Sequence, residues 1–152
     1  VSVQLAGRLA ARADEPLGDR CPMDRALQLV GNRTSLLLLR EVFYGVSRFD
    51  ALVKRVGVTE ASAAQRLREL VEIGVLAKEP YKEPGQRTRY AYVLTEAGHD
   101  LLPVVLALVQ WGARHTDGPA PRMRHADCGK PISVALHCAA DHDVVEDDVI
   151  VG

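Results

Sequence analysis

Between Arg48 and Leu94 the chain strings together two helical stretches and two extended ones in an order that few folds accommodate. Phe49, Leu52, Val53 and Val56 recur at i, i+3, i+4 and i+7, which predicts a helix from Arg48 to Val56 with one apolar stripe. Gly57-Val58 is a compact turn; Thr59 is placed to cap a second helix reaching Ile73, with Gly74 as its C-cap. Val75-Leu76 opens a strand, Glu83-Pro84-Gly85-Gln86 has turn chemistry, and Arg89 to Leu94 alternates as the return strand. Helix, turn, helix, strand, basic loop and strand make a helix-turn-helix followed by a wing, an arrangement suited to docking on DNA.

On a helical wheel the second helix places Ala63, Leu67, Leu70 and Val71 on one side and Ser62, Gln65, Arg66 and Glu69 on the other. A helix entering the major groove needs small residues near its N-terminus and hydrogen-bonding side chains one turn further on. Glu60 to Arg66 meets that need. Gln65 suits adenine and Arg66 suits guanine or a phosphate, each bidentate pair contributing about 1 to 3 kcal/mol of discrimination. Thr59, Ala61, Ser62, Gln65, Arg66 and Arg68 are therefore the expected recognition-helix contacts, Arg68 to a phosphate. Arg48, Lys54, Lys82, Gln86, Arg87 and Arg89 are the expected grip on the backbone, the wing set following the phosphates or entering the minor groove. An ordinary amphipathic surface helix and a solubilising hairpin are the plain alternatives, outweighed because turn, strands and basic loop coincide. Tyr81, Tyr90 and Tyr92 are expected to pack the hairpin rather than to stack on bases.

The net charge of −1 argues against nucleic acid only if charge is evenly spread. From Arg33 to Tyr92 there are eleven basic residues against seven acidic ones, whereas no Lys or Arg follows Lys130 and five acidic residues lie between Asp141 and Asp148. A phosphate backbone feels the local charge, so the basic middle outweighs the total. No window approaches a membrane span, and Arg8 and Arg12 interrupt the first thirteen residues too often for a secretory signal, so a cytoplasmic protein without a membrane partner is expected. Three scattered cysteines, Cys21, Cys128 and Cys138, do not make a disulfide framework and should be thiols in that compartment.

The remaining segments frame this device. Residues 1–20 are a polar arm with loose helical spacing at Val3, Leu5, Ala6, Leu9 and Ala10, readable as a short docking helix or a floppy leader. A helix begins at Pro22 and stops at Gly31; Thr34 or Asn32 caps the next, whose Leu36 to Leu39, Val42 and Phe43 make it the buried spine. Thr95 opens a last long helix reaching Thr116, with Pro103 either bending it or marking its true start. After Gly118 comes a linker into an acidic tail, with short strands expected within Ile132–Leu136 and Val144–Val151 and no core of its own. His125, Cys128 and Cys138 are metal-capable, but Asp141 stands where a second Cys-x-x-Cys would close. A strand pair packed on the domain is the preferred reading and a degenerate zinc ribbon the alternative. No cofactor is expected and no enzyme is visible: His99 and His115 have no nucleophile or carboxylate constellation beside them.

Cys21-Pro22-Met23-Asp24-Arg25-Ala26-Leu27, Gly31, Leu36 to Glu41, Gly45, Arg48-Phe49-Asp50, Arg66 to Leu70, Gly74-Val75-Leu76, Tyr90, Leu94 to Gly98 and Trp111-Gly112 together resemble the HxlR-type, MarR-like winged-helix regulators. The resemblance covers residues 20 to 115. It implies a bacterial transcription factor, expected to be a repressor, binding double-stranded DNA at a palindromic operator as a homodimer. It also implies a dimer interface made by the arm and by the long helix after the wing, and an effector that is a small molecule or electrophile. Thr34 stands where many members carry Trp, which alters packing near that interface. Cys21 matches a cysteine that some members use as a redox sensor; a thiol before a helix start, beside Arg20, is favoured as thiolate. Without a nearby resolving cysteine, oxidation would need an intersubunit partner or a small-molecule thiol.

The expected fold is thus α+β, mainly α. It comprises the arm (1–20), a winged helix-turn-helix domain with two-stranded wing and long C-terminal dimerisation helix (21–116), and a linker with a small irregular or β tail (117–152). A winged-helix protein-interaction module without a specific DNA target is the rival from another class; salt separates the two, because phosphate contacts weaken steeply with added salt.

Overall fold

The computed structural model describes residues 2–12 and 14–152; Val1 and Ala13, both within the expected arm, lie outside the described residues. In chain order the elements are β1 (Gln4–Leu5), α1 (Gly7–Ala11), α2 (Pro22–Val30), α3 (Arg33–Phe43), α4 (Phe49–Val56), α5 (Glu60–Glu72) and β2 (Leu76–Tyr81). There follow β3 (Arg89–Leu94), α6 (Glu96–His99), α7 (Leu102–His115), β4 (Leu136–His137), β5 (Asp143–Val144) and β6 (Ile150–Val151). The class is α+β and mainly helical. Contacts divide the chain into two compact units, one spanning Cys21–Val109 and the other joining the arm through Arg20 to Gln110–Gly152.

In the first unit α3 is the spine. The Asn32 side chain accepts from the N–H groups of Thr34 and Ser35, so Asn32, and not Thr34, caps α3. Leu38, Leu39 and Val42 are buried and pack with Leu52 of α4, Leu67 and Leu70 of α5, and Val75 and Leu76 at the start of the wing. Each fully buried leucine contributes about 1.5 to 3 kcal/mol relative to exposure. Leu36 and Leu37 are only half-buried, so the spine has two sides. Glu41 is also inside, 2% exposed, where an apolar residue is the ordinary choice. Its carboxylate is held by Arg40 of α3 and by Arg55 of α4, each at 2.7 Å, which ties the spine to the first helix of the motif.

Helix α4 starts one residue later than its apolar pattern suggests, because Arg48 has extended backbone and acts as the N-cap. Gly57 closes α4 in the left-handed region at φ 72°, its N–H on the Val53 carbonyl, which a residue with a Cβ reaches only under strain. Thr59 Oγ1 then accepts from Ser62 N–H and starts α5. The C-cap of α5 is Ile73; Gly74 lies one position beyond, where a left-handed residue lets Val75 N–H reach back to Leu70. The wing is an antiparallel pair from Leu76 opposite Leu94 to Tyr81 opposite Arg89. Ser47 accepts from Tyr92 N–H at 2.8 Å, and Arg48 bridges to Ala91, so the loop before α4 is bound to the root of the wing.

After the wing, the expected continuous helix from Thr95 is two helices. Thr95 caps α6 and its hydroxyl also donates to the Gly74 and Val75 carbonyls. A Cβ on Gly98 would collide with the Val75 carbonyl oxygen, so glycine is what allows α6 to lie on the α5–β2 turn. Pro103 is the second residue of α7, where its missing N–H is tolerated; it marks a start rather than a bend.

The second unit departs further from the local pattern. Val3 to Leu5 do not continue the helical spacing of the arm: β1 pairs in parallel with β6, and among the described residues of the arm Gly7–Ala11 is α-helical and Gly18–Arg20 makes a single 3-10 turn. The tail strands are shorter than expected, β4 and β5 forming a two-residue antiparallel pair with Leu136 opposite Val144, while Ile132 is left outside them. Gln110 fastens the tail to α7, accepting from Val134 N–H at 2.8 Å and donating to Val134 O at 3.2 Å. No helix among the described residues is long and apolar enough to cross a membrane.

Candidate nucleic-acid interface

Helix α5 buries Ala63, Leu67 and Leu70, which turns the opposite face outward. On that face Ala61 and Gln65 are exposed, and Ser62 and Arg66 are half-buried. Thr59, expected as a contact, has its hydroxyl oxygen engaged as the helix cap. Gln65 and Arg66 are not loose: Gln65 Nε2 donates to Glu69 Oε1 at 3.2 Å and Arg66 Nη1 donates to Glu69 Oε2 at 2.7 Å. The Arg66 hydrogen bond is the main reason that the Glu69 carboxyl lies below its ordinary value. Arg68 is exposed, and its charge is felt both by Glu69 and by the Tyr92 phenol on the wing strand. Burial raises the Tyr92 phenol, so it stays neutral.

The wing carries the second group of cations. Lys82, Gln86, Arg87, Thr88 and Arg89 are exposed around a turn in which Gln86 N–H donates to the Glu83 carbonyl. Arg48 reaches toward the same loop, its guanidinium 4.7 Å from the Tyr81 ring centroid and 2.6 Å from the Glu83 carboxylate. The Glu83 hydrogen bond keeps Arg48 more firmly protonated than an isolated arginine. Lys54, Arg68, Lys82, Arg87 and Arg89 form no ion pair among the described residues. These five are free to meet phosphates. Tyr90 and Tyr92 pack under the Lys78 ammonium at 5.8 and 5.9 Å, so the wing tyrosines line the hairpin.

Sequence reasoning placed Glu69 on the outward face and Glu83 in the wing turn but gave neither an arginine partner. Glu69 lies three and four residues from Arg66 and Gln65, a spacing visible in the sequence. The Arg48–Glu83 pair joins the start of α4 to the wing tip and has no local signature.

Other candidates lie elsewhere. Cys21 is half-buried and is the N-cap of α2, with Pro22 as the first helical residue. The guanidinium of Arg20, expected to favour the Cys21 thiolate, donates to the Pro16 and Leu17 carbonyls. Cys128 and Cys138 are exposed thiols. His125 Nδ1 accepts from Cys128 N–H at 3.4 Å, and backbone N–H groups of His142 and Ala140 pull the Cys138 thiol below its usual value. Among the described residues no group of three or more His, Cys, Asp or Glu side chains is assembled to hold a metal ion, so His125, Cys128 and Cys138 are not brought together.

The surface built from α5 and the wing has close parallels. The HxlR-like helix-turn-helix family model matches residues 29–119. Rv3095 of Mycobacterium tuberculosis, an uncharacterised HTH-type transcriptional regulator, is 41% identical over 123 residues, 77% of either chain. YdeP of Bacillus subtilis, likewise an uncharacterised HTH-type transcriptional regulator, is 33% identical over 64% of this chain and 75% of its own. Among solved structures, PA1607, provisionally described as a transcription factor, superposes with a TM-score of 0.77 at 30% identity, covering 90% of this chain and 96% of that one. The redox regulator HypR in its oxidised form gives a TM-score of 0.59 at 28% identity, over 64% of this chain and 100% of HypR. The chain belongs to the HxlR-like helix-turn-helix family, a DNA-binding transcriptional regulator with a winged helix.

Proposed function

We propose that the protein is a homodimeric repressor that binds a palindromic operator and releases it in response to a small-molecule or redox signal. The observation that carries this reading is the outward face of α5. Gln65 and Arg66 stand one turn beyond the small residues Ala61 and Ser62, beside five cations that make no ion pair among the described residues. Ser62, Gln65 and Arg66 read base edges; Arg48, Lys54, Arg68, Lys82, Arg87 and Arg89 grip phosphates, with Gln86 at the wing tip.

Dimerisation is supported by apolar side chains left in solvent. Met23, Leu27 and Leu29 on α2 and Leu102, Val104, Leu108 and Trp111 on α7 are exposed, Trp111 by 62%. Surfaces of that kind mark interaction sites. A two-fold pair of such chains spaces its recognition helices by about 34 Å, one turn of DNA, so a small shift at the interface breaks the register. In this reading residues 21–116 dock and dimerise, the arm contributes to the dimer, and the tail is an appended segment. In the same reading the protein acts in the cytoplasm.

Cys21 is the proposed sensor. It stands at the start of α2, whose exposed apolar side chains belong to the proposed interface, so modification of its thiol by an oxidant or electrophile would strain that interface. The HypR relatives, described as redox regulators in reduced and oxidised forms, support the idea by likeness alone.

Fluorescence anisotropy with DNA from the protein's own upstream region and a scrambled control, across several salt concentrations with and without reductant, tests the reading. Tight, sequence-selective binding that weakens steeply with salt is expected. Equal weak binding to both duplexes would favour the protein-interaction module instead.

A further inference from the structure

One carboxylate on the recognition helix is shared by both side chains that face the bases. Glu69 Oε2 accepts from Arg66 Nη1 at 2.7 Å, and Glu69 Oε1 accepts from Gln65 Nε2 at 3.2 Å. Positions 65, 66 and 69 lie on one helical face, which is why a single side chain reaches both. We propose that Glu69 is a positioning residue for sequence readout, holding Arg66 and Gln65 in the geometry that meets base edges while its charge disfavours DNA that offers no such match. The proposal rests on the regulator reading above and deepens it.

Three physical points carry it. The contacts leave the reading groups available: Arg66 retains Nε and Nη2 for the O6 and N7 acceptors of guanine, and Gln65 retains its carbonyl and one N–H for adenine. Side chains ordered before binding lose less freedom on binding, and Arg and Gln have much to lose. A carboxylate on the groove-facing surface is also a repulsive element. On a matched site the base contacts of its two partners offset its approach to phosphates, whereas on unmatched DNA nothing does, and discrimination grows from the difference. A surface pair of this spacing stabilises an isolated helix only slightly, so a purely structural role predicts almost nothing for DNA.

The test uses the full chain. The wild-type protein first selects duplexes from a randomised pool, and anisotropy then compares the selected site with a scrambled duplex for wild type, Glu69→Ala, Glu69→Gln, Arg66→Ala and the Arg66→Ala/Glu69→Ala double variant. Glu69→Ala is expected to lower the preference for the selected site about tenfold, within the range of one bidentate base pair, while binding the scrambled duplex at least as tightly as wild type. Glu69→Gln, which keeps length and one acceptor oxygen, should recover part of the preference. The double variant should lose less than the two single variants combined, because Glu69 acts through Arg66. Thermal midpoints of Glu69→Ala and Glu69→Gln should stay close to wild type, as an ion pair of this spacing stabilises a helix only slightly. A preference within twofold of wild type for Glu69→Ala, or losses that add fully in the double variant, would overturn the proposal and leave the regulator reading intact. Failure of the wild-type chain to select any sequence would overturn both.

Discussion

Glu41 gives the sharpest test of how the fold carries the DNA-binding motif. The carboxylate is 2% exposed and bridges Arg40 and Arg55, both at 2.7 Å, while those arginines are 31% and 57% exposed. Burial raises the Glu41 carboxyl, but hydrogen bonds from Arg55 and Arg40 lower it more, and the net result lies below the ordinary value. Glu41→Gln keeps the shape and removes the charge. Each charge-assisted bond contributes about 1.5 to 3 kcal/mol against about 0.5 to 1.5 for a neutral one. The exposed ends of both arginines regain water in the variant, which reduces the loss. About 2 kcal/mol is the expected destabilisation, read by urea unfolding at one fixed protomer concentration, since the stability of the proposed dimer would depend on concentration. The pH dependence separates charge from packing. A carboxyl depressed in the folded state contributes stability that is complete well above its unfolded value of about 4.3 and is lost as pH falls through the folded value. The gap between wild type and Glu41→Gln should therefore be full at pH 7 and shrink below about pH 4.3. A gap that stays constant through that window would refute the electrostatic account and assign the effect to packing; no gap at pH 7 would remove Glu41 from the stabilising set altogether.

Three further outcomes test the interface and its control. If the proposed dimer forms through α7, Leu108→Glu on its exposed face should give a monomer in analytical ultracentrifugation where wild type is a dimer, and weaken operator binding at least tenfold, because a charge in an apolar interface is not solvated; an unchanged dimer mass would place the interface elsewhere. Arg87→Ala, at the exposed wing tip, should weaken binding to matched and scrambled DNA alike and reduce the salt slope by about 1 per protomer, whereas a loss confined to the matched site would make Arg87 a base reader. Cys21→Ser should bind operator like wild type but keep binding after oxidant treatment that releases wild type, and retained release would exclude the Cys21 thiol as the sensor.

Much of the motif was legible because its information is local. Helices α4 and α5 follow from apolar residues at helical spacing, and Gly57 and Thr59 place the turn between them. What stayed hidden depends on partners far along the chain. The arm reads as helix by spacing, yet Gln4 and Leu5 pair with Ile150 and Val151, and no local period announces a parallel partner at the other end. Pro103 fits a bend or a start equally well until the contacts of Thr95 and Gly98 with Val75 show α6 docked as a separate turn. The same distinction runs through the ion pairs. Glu69 was readable from its spacing, whereas Glu41 with Arg55 and Arg48 with Glu83 join residues from different elements.

Those pairs explain how a chain of net charge −1 is suited to DNA. Three of the seven acidic residues in its basic middle, Glu41, Glu69 and Glu83, are each matched to an arginine at 2.6 or 2.7 Å. An arginine already held by a carboxylate gains less from a phosphate than a free one does, because it must give up one charge-assisted bond to make another. Free cations therefore dominate the salt-dependent attraction that any duplex feels. The held arginines are oriented before any DNA arrives: Arg66 by Glu69 on the outward face of α5, and Arg48 by Tyr81 and Glu83 where the wing meets α4. Under the proposed function, general affinity then rests mainly on the free cations and sequence choice on the Gln65–Arg66–Glu69 group. Neutralising Glu69 should accordingly strengthen general DNA binding and blur selectivity, while removing a free cation such as Arg87 should do neither of those things and only weaken the grip.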